Sequence, residues 1–205
     1  MAQLPGPPRR LATRDCGVIL YCCKQGDWLL VRAHPQPTFL SPDLPYRTST
    51  STSSRLARAV VNLVARPGES FIDPLCGTGV ILVEAARIGC RVSGSDLNAK
   101  ALWSARHNFE ALGLSAEITK IDACDLAPDR ADALVADLPY GRRLKPTDLE
   151  PLARSLPTLA RRWALISHMD LEPLLSAIGH PPHTVIEVPK TTFVRRVLVG
   201  GEPLS

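Results

Sequence analysis

The stretch Ser70-Phe71-Ile72-Asp73-Pro74-Leu75-Cys76-Gly77-Thr78-Gly79 reads as a short strand that closes on a carboxylate and feeds a glycine turn. A helix is expected to follow, from Gly79 to Ile88. Glycines let the backbone turn tightly and admit a ligand close to the main chain. The first amides of the helix point back into the same space. A pyrophosphate-binding turn typically carries a third glycine three residues after the second. Here that position is Leu82, and no lysine follows Gly77-Thr78-Gly79 in Walker order. The turn is therefore a poor phosphate cradle and a workable seat for a smaller zwitterion.

The same rhythm continues downstream. A strand is expected at Arg91 to Asp96, a helix at Ala99 to Leu112, a strand near Glu117 to Ile121 and a strand at Asp132 to Ala136. A helix near Leu149 to Ala160, a strand at Trp163 to Ser167 and a helix at Leu171 to Ile178 complete the alternation. The last strands, Thr184 to Val188 and Phe193 to Val199, have no helix-length insert between them and should pair antiparallel. Strand-helix alternation implies an α/β fold, a mostly parallel sheet covered on both faces. The closing hairpin separates it from a two-half dinucleotide-binding sheet, whose sixth strand stays parallel.

Upstream, Ser53 or Ser54 can cap a helix to about Ala65, with Leu56, Ala59, Val60, Leu63 and Val64 on one stripe. Gly17 to Cys22 and Trp28 to Arg32 read as a small hairpin. The connector from His34 to Ser54 holds Pro35, Pro37, Pro42 and Pro45, which exclude an uninterrupted helix, and its length hints at a binding or lid role. The expected organisation is a disordered tail over 1–10, a hairpin and Pro/Ser-rich connector over 11–52, and one catalytic domain over 53–201.

With 205 residues of which 45% are hydrophobic, the chain can bury a full core, which argues against disorder. No apolar run reaches the roughly 18 residues that span a bilayer, and Met1 to Arg10 lacks an apolar signal core. A cytoplasmic location is the default expectation. The net charge of +4 is compatible with a polyanion partner. The six cysteines, Cys16, Cys22, Cys23, Cys76, Cys90 and Cys124, show no zinc-site spacing, so free thiols and no metal are expected.

Asp73, Asp96 and Asp122 each close a strand on the edge where parallel sheets place ligands. Asp96 can accept from both hydroxyls of a ribose; Asp122 could meet an adenine amine, with Ala123 offering its amide. A nucleoside with free hydroxyls and no phosphate fits, and S-adenosylmethionine is one. A further strand closes on Asp137-Leu138-Pro139-Tyr140-Gly141. Pro139 fixes its own φ and keeps Leu138 out of helical geometry. The Asp137 carboxylate and the Leu138 carbonyl then offer acceptors to an exocyclic amine, and Tyr140 a ring on which a base can stack. Cys76 and Cys124 lack a base to activate them and read as packing residues.

These segments, with Arg55-Leu56-Ala57-Arg58-Ala59-Val60-Val61-Asn62-Leu63 and Ser95-Asp96-Leu97-Asn98, resemble class I S-adenosylmethionine-dependent methyltransferases. More closely they resemble the catalytic domain of the tRNA guanine-N2 methyltransferases that usually carry a THUMP domain. The resemblance implies a Rossmann-like seven-stranded sheet in the order 3-2-1-4-5-7-6 with a reversed final hairpin. It implies Asp73, Cys76, Gly77, Thr78 and Gly79 around the methionine part, Asp96 and Leu97 at the ribose, Asp122 and Ala123 at the adenine, and Asp137 to Tyr140 as the catalytic segment, with Asp137 also reaching the cofactor. Thr78 and the connector before Arg55 would help close the cofactor site. Many amino-methyltransferases have proline where Leu138 stands.

The 54 residues before Arg55 are too few for a THUMP domain and its linker. Docking of an RNA, tRNA first, would then fall to a partner protein, a homodimer or a smaller RNA feature. Arg142, Arg143, Lys145, Arg195 and Arg196 are the candidate phosphate contacts. Two alternatives stay open: transfer to adenine N6 of DNA or RNA, or to a protein glutamine, and a non-catalytic nucleic-acid-binding or scaffold subunit.

Overall fold

The computed structural model describes residues 21–24, 27–30, 44–48, 52–140, 146–189 and 194–203. The chain divides into two compact units, Met1–Leu40 and Ser41–Ser205. In the first, β1 (Tyr21–Lys24) pairs antiparallel with β2 (Asp27–Leu30). Residues 17–20 and 31–32 of the expected hairpin, and the expected tail over 1–10, lie outside the described residues.

In the second unit Leu44 is only 6% exposed and part of the core. Helix α1 (Ser54–Val64) is capped by Ser53, whose hydroxyl accepts from Leu56 N at 3.3 Å. Such a cap contributes about 1 kcal/mol. Its buried face is Ala57, Val60, Val61 and Val64, while Leu56 and Leu63 are partly buried beside it. The face is rotated relative to the stripe read from sequence, because both sheet and α2 press on α1 and the smaller side chains fit closest.

Strand β3 (Ser70–Asp73) leads to α2 (Val80–Arg87), β4 (Arg91–Ser95) to α3 (Ala99–Ala111), and β5 (Glu117–Thr119) through a 3-10 turn at Ala123–Asp125 to β6 (Ala131–Asp137). After α4 (Glu150–Ser155) a 3-10 turn at Leu156–Thr158 takes over, where Pro157 leaves no amide for further helix. Strand β7 (Ala160–Ser167) therefore starts earlier than expected and is followed by α5 (Glu172–Ala177), β8 (Thr184–Pro189) and β9 (Val194–Gly201).

The seven strands lie in the order β5-β4-β3-β6-β7-β9-β8, the expected 3-2-1-4-5-7-6. The first five pair parallel, and β9 runs antiparallel to both β7 and β8. Side chains alternate between two cores: Phe71, Ala133 and Val135 meet α1 and α2, while Ile72, Leu134 and Ala136 face Leu149, Leu156 and Leu175 on the other side. Trp163 is buried at 2% exposure against Gly200, where an added Cβ would stand 2.1 Å from its Cζ2. Two-sided burial leaves the carboxyl ends of β3, β4 and β6 as the open edge.

Candidate active site

One continuous cavity of about 360 Å³ occupies that edge. Its lining runs from Asp96, Asn98 and Ala101, past Asp73, Cys76, Gly77 and Thr78, to Asp137, Leu138, Pro139 and Tyr140, with Thr48 and Thr52 on the wall. Asp96 and Asp137 thus face one space rather than opposite edges. Gly79, Leu97, Asp122 and Ala123 are not among the lining residues. Gly79 lies behind the turn, where an added Cβ would stand 3.2 Å from Ala105 Cβ, and Leu97 is 59% exposed. Asp122 caps the 3-10 turn by accepting from Cys124 N at 2.9 Å.

Local chemistry builds the glycine end. Gly77 has φ +52 and Gly79 φ +83, left-handed conformations that disfavour side chains. Asp96 Oδ2 accepts from Gly77 N at 2.9 Å and Oδ1 from Asn98 N at 2.8 Å, so this carboxylate shapes the turn and keeps lone pairs for a ligand. Asn108, fully buried, donates from Nδ2 to Thr78 O and Tyr46 O and accepts from Tyr46 N through Oδ1. It ties the end of the connector to the glycine turn. No Cβ-sized obstacle lies at Gly77, so the floor is open to a ligand.

Asp73 ends β3 at 1% exposure and accepts from Leu75 N at 3.1 Å. Burial pushes its carboxyl well above the ordinary value, and Asp137 and Asp96 add to this. Burial beside Asp73 and Asp96 likewise holds the Cys76 thiol far above its usual value, so it carries no thiolate. An acidic, half-enclosed cavity of this kind favours a cationic ligand.

The other end is built by strands far apart in sequence. Asp137 closes β6, and Leu138, fully buried, anchors the next step in the core while its N–H donates to Ile166 O at 2.9 Å. Thr52 Oγ1 donates to Asp137 Oδ2 and accepts from Arg195 Nη1 at 3.3 Å. The Arg195 guanidinium stands 5.0 Å over the Tyr140 ring, which lies 5.6 Å from His168. Burial raises the Asp137 carboxyl to about 6, with Thr52 and Arg195 opposing the rise. Among the described residues, Asp137 Oδ1, Tyr140 Oη, His168 Nδ1 and Arg195 Nε are buried without a hydrogen-bond partner. Buried polar atoms normally find partners, so this concentration marks a place for a polar ligand.

Arg195 therefore lies inside at 8% exposure rather than on an open phosphate-facing rim, and Arg196 pairs with Glu187 at 3.2 Å. Arg142, Arg143 and Lys145 lie outside the described residues. Sequence reading missed Thr52, Asn108 and His168. Thr52 was one hydroxyl in the Ser/Thr-rich run Thr48 to Ser54, and nothing local distinguishes it. Among the described residues no group of three or more His, Cys, Asp or Glu could hold a metal ion, and no helix is long and apolar enough to cross a membrane.

A Rossmann-like sheet with a reversed last strand, a glycine turn flanked by strand-end acids and an Asp-Leu-Pro-Tyr segment on one cavity define a class I methyltransferase-type domain. The chain belongs to the UPF0020 family, the RMKL-like methyltransferase domain, whose model matches residues 45–164. It is 41% identical over 100 residues to a tRNA (guanine(10)-N2)-dimethyltransferase of Methanothermobacter thermautotrophicus, covering 47% of this chain and 30% of that protein. It is 32% identical over 90 residues to a ribosomal protein L11 methyltransferase of Burkholderia mallei, covering 40% of this chain and 30% of that protein. The crystal structure of TrmN from Thermus thermophilus superposes with a TM-score of 0.61 at 29% identity, over 73% of this chain and 48% of that one. The chain spans about a third of the length of the tRNA-modifying relatives it matches.

Proposed function

We propose that this chain transfers a methyl group from S-adenosylmethionine to an exocyclic amine of a nucleic-acid base, guanine N2 of an RNA, tRNA above all. The carrying observation is the continuous cavity from Asp96 to Tyr140 with unpartnered polar atoms at its Tyr140 end. Family membership and the relatives acting on guanine(10)-N2 of tRNA support the substrate class. Asp96 would hold the ribose, Asp73 and the turn at Cys76 to Thr78 the amino-acid part, and Asn98 and Ala101 the nucleoside side. Asp122 and Ala123 stand as a further adenine contact only with ligand-induced approach. When bound, the cofactor supplies an electrophilic methyl carbon.

The chain's own residues orient the amine. Asp137 Oδ1, free and buried, accepts one N–H, and the Leu138 carbonyl accepts the other. The lone pair is left pointing along the cavity, and this fixed approach supplies much of the acceleration. One proton leaves to Asp137 Oδ1 or to water once the nitrogen carries its methyl. With its carboxyl at about 6, Asp137 is largely ionised at neutral pH and ready to accept. Arg195 covers one face of Tyr140, so a base would stack on the other, an interaction worth about 1–3 kcal/mol. Arg142, Arg143 and Lys145 are the proposed phosphate contacts. RNA docking would draw on a homodimer or an accessory protein. The free thiols at Cys76, Cys90 and Cys124 support a cytoplasmic setting.

The ribosomal-protein methyltransferase among the relatives favours a second reading, transfer to a protein amino or amide nitrogen. The deciding experiment supplies the purified chain and methyl-labelled S-adenosylmethionine with total RNA, DNA and protein from the source cells, followed by nucleoside mass spectrometry. Label in N2-methylguanosine is expected. Label confined to protein would move the assignment to the second reading, and no label in any fraction would remove the enzyme.

A further inference from the structure

Neighbouring strands end together at the Tyr140 side of the cavity. Register sets Asp137 opposite Ile166 and Ser167 opposite Arg196. His168 and Arg195, the next residues out, thus share one edge with Asp137. From β9, Arg195 Nη1 donates to Thr52 Oγ1, and Thr52 Oγ1 donates to Asp137 Oδ2. These contacts cross 143 and 85 residues of sequence.

The direction of each bond is fixed by chemistry. A guanidinium has only donors, and a threonine hydroxyl has a single proton. With Arg195 occupying the acceptor side of the hydroxyl, its proton goes to Asp137. One carboxylate oxygen is thereby committed, and the other, Oδ1, stays buried and unpartnered. The same guanidinium also lies over the Tyr140 ring.

We propose that Thr52 and Arg195 are positioning residues, a relay that locks Asp137 by Oδ2, leaves Oδ1 alone for the substrate amine, and steadies the Tyr140 ring. The proposal rests on the reading of Asp137 to Tyr140 as the amine slot. It makes the C-terminal hairpin and the residue before the α1 cap parts of the catalytic apparatus. Thr52 is 4% exposed and Arg195 8%, so neither is a solvated side chain free to choose other partners.

The relay also sets the charge state of the acid. The groups acting on Asp137 are Thr52 ahead of α1, Arg195 from β9 and Asp73 from β3, with Tyr140 and His168 packed beside Arg195. Thr52 and Arg195 hold the carboxyl down, while burial drives it up. Removing either should raise it.

The test is a carbon-13 carboxyl titration of Asp137 by NMR in the full chain, for the wild type, Thr52→Val, Thr52→Ser and Arg195→Gln. Wild type and Thr52→Ser are expected to titrate at about 6, and Thr52→Val and Arg195→Gln about one pH unit higher. Thr52→Val is nearly isosteric, so it decides the matter even if the Arg195 variant does not fold. In labelled-methyl transfer, Thr52→Val should lose about fivefold in kcat near pH 6, recover towards pH 9, and keep the cofactor KM of the wild type. A Thr52→Val titration coincident with wild type, or a loss of transfer equal at every pH, would overturn the relay. A wild-type chain that transfers no methyl would instead sink the proposed function, while the titration would still decide the relay.

Discussion

At the scale of single residues, Asp137 is the informative group. Burial lifts its carboxyl to about 6, above the roughly 3.9 of an unperturbed aspartate. A raised folded-state value means that the folded protein binds a proton the unfolded chain has lost. The associated stability is fully present below about pH 4 and disappears as pH rises through about 6. Asp137→Asn should therefore stabilise the fold by about 3 kcal/mol near pH 8 and leave it unchanged near pH 4. Urea unfolding at the two pH values measures this, and equal or lower stability of the variant at pH 8 would contradict it. A carboxyl so raised, lining a cleft, marks a candidate functional group. The sequence marked Asp137, as it marked Asp73, Asp96 and the glycines, because a carboxylate closing an apolar run is a local pattern. It could not mark Thr52, Arg195 or His168 as partners of that acid. Their meeting is decided by strand register across the sheet, and Arg195 read from sequence as a candidate phosphate contact.

Among the elements, the glycine turn, α3 and the end of the connector act as one piece. Asn108 on α3 makes three hydrogen bonds to backbone of the other two, at 3.0, 2.8 and 2.9 Å. Asn108→Ala would leave the buried Thr78 carbonyl without that donor and release Tyr46. A loss of about 2–4 kcal/mol is expected, since each abandoned buried group costs about 1–3 kcal/mol. Chemical denaturation would show it, and a loss below about 0.5 kcal/mol would mean that the connector is held by other means. The strands and most helices were legible in the sequence because their apolar runs are bounded by glycine, proline and acids. The register of α1 was not. A stripe drawn on hydrophobicity alone prefers Leu56 and Leu63, whereas close approach of helix to sheet selects Ala57 and Val61 for the buried face. The end of α4 was missed for a related reason: Pro157 turns the chain into a 3-10 step and frees Ala160 to start β7.

For the whole molecule, the reversed final hairpin is what completes the site. A parallel sixth strand would run the other way along β7 and could not deliver Arg195 beside Asp137 in this register. The hairpin was legible from the absence of a helix-length insert, but the Arg195 to Thr52 to Asp137 contact it delivers was not. The fold thus joins two ends of one cavity: a turn built from neighbouring residues, and a slot lined by Thr52 and residues 137–140 with Arg195 and His168 beside the Tyr140 ring. In the function proposed above these ends have separate tasks, the first holding the methyl donor and the second the amine. Asp137→Ala separates them. Calorimetry of S-adenosylmethionine binding, paired with labelled-methyl transfer on the responsive RNA, should find an affinity within about threefold of wild type and a transfer rate reduced by at least about a hundredfold. Undiminished transfer, or loss of cofactor binding in step with activity, would contradict the account.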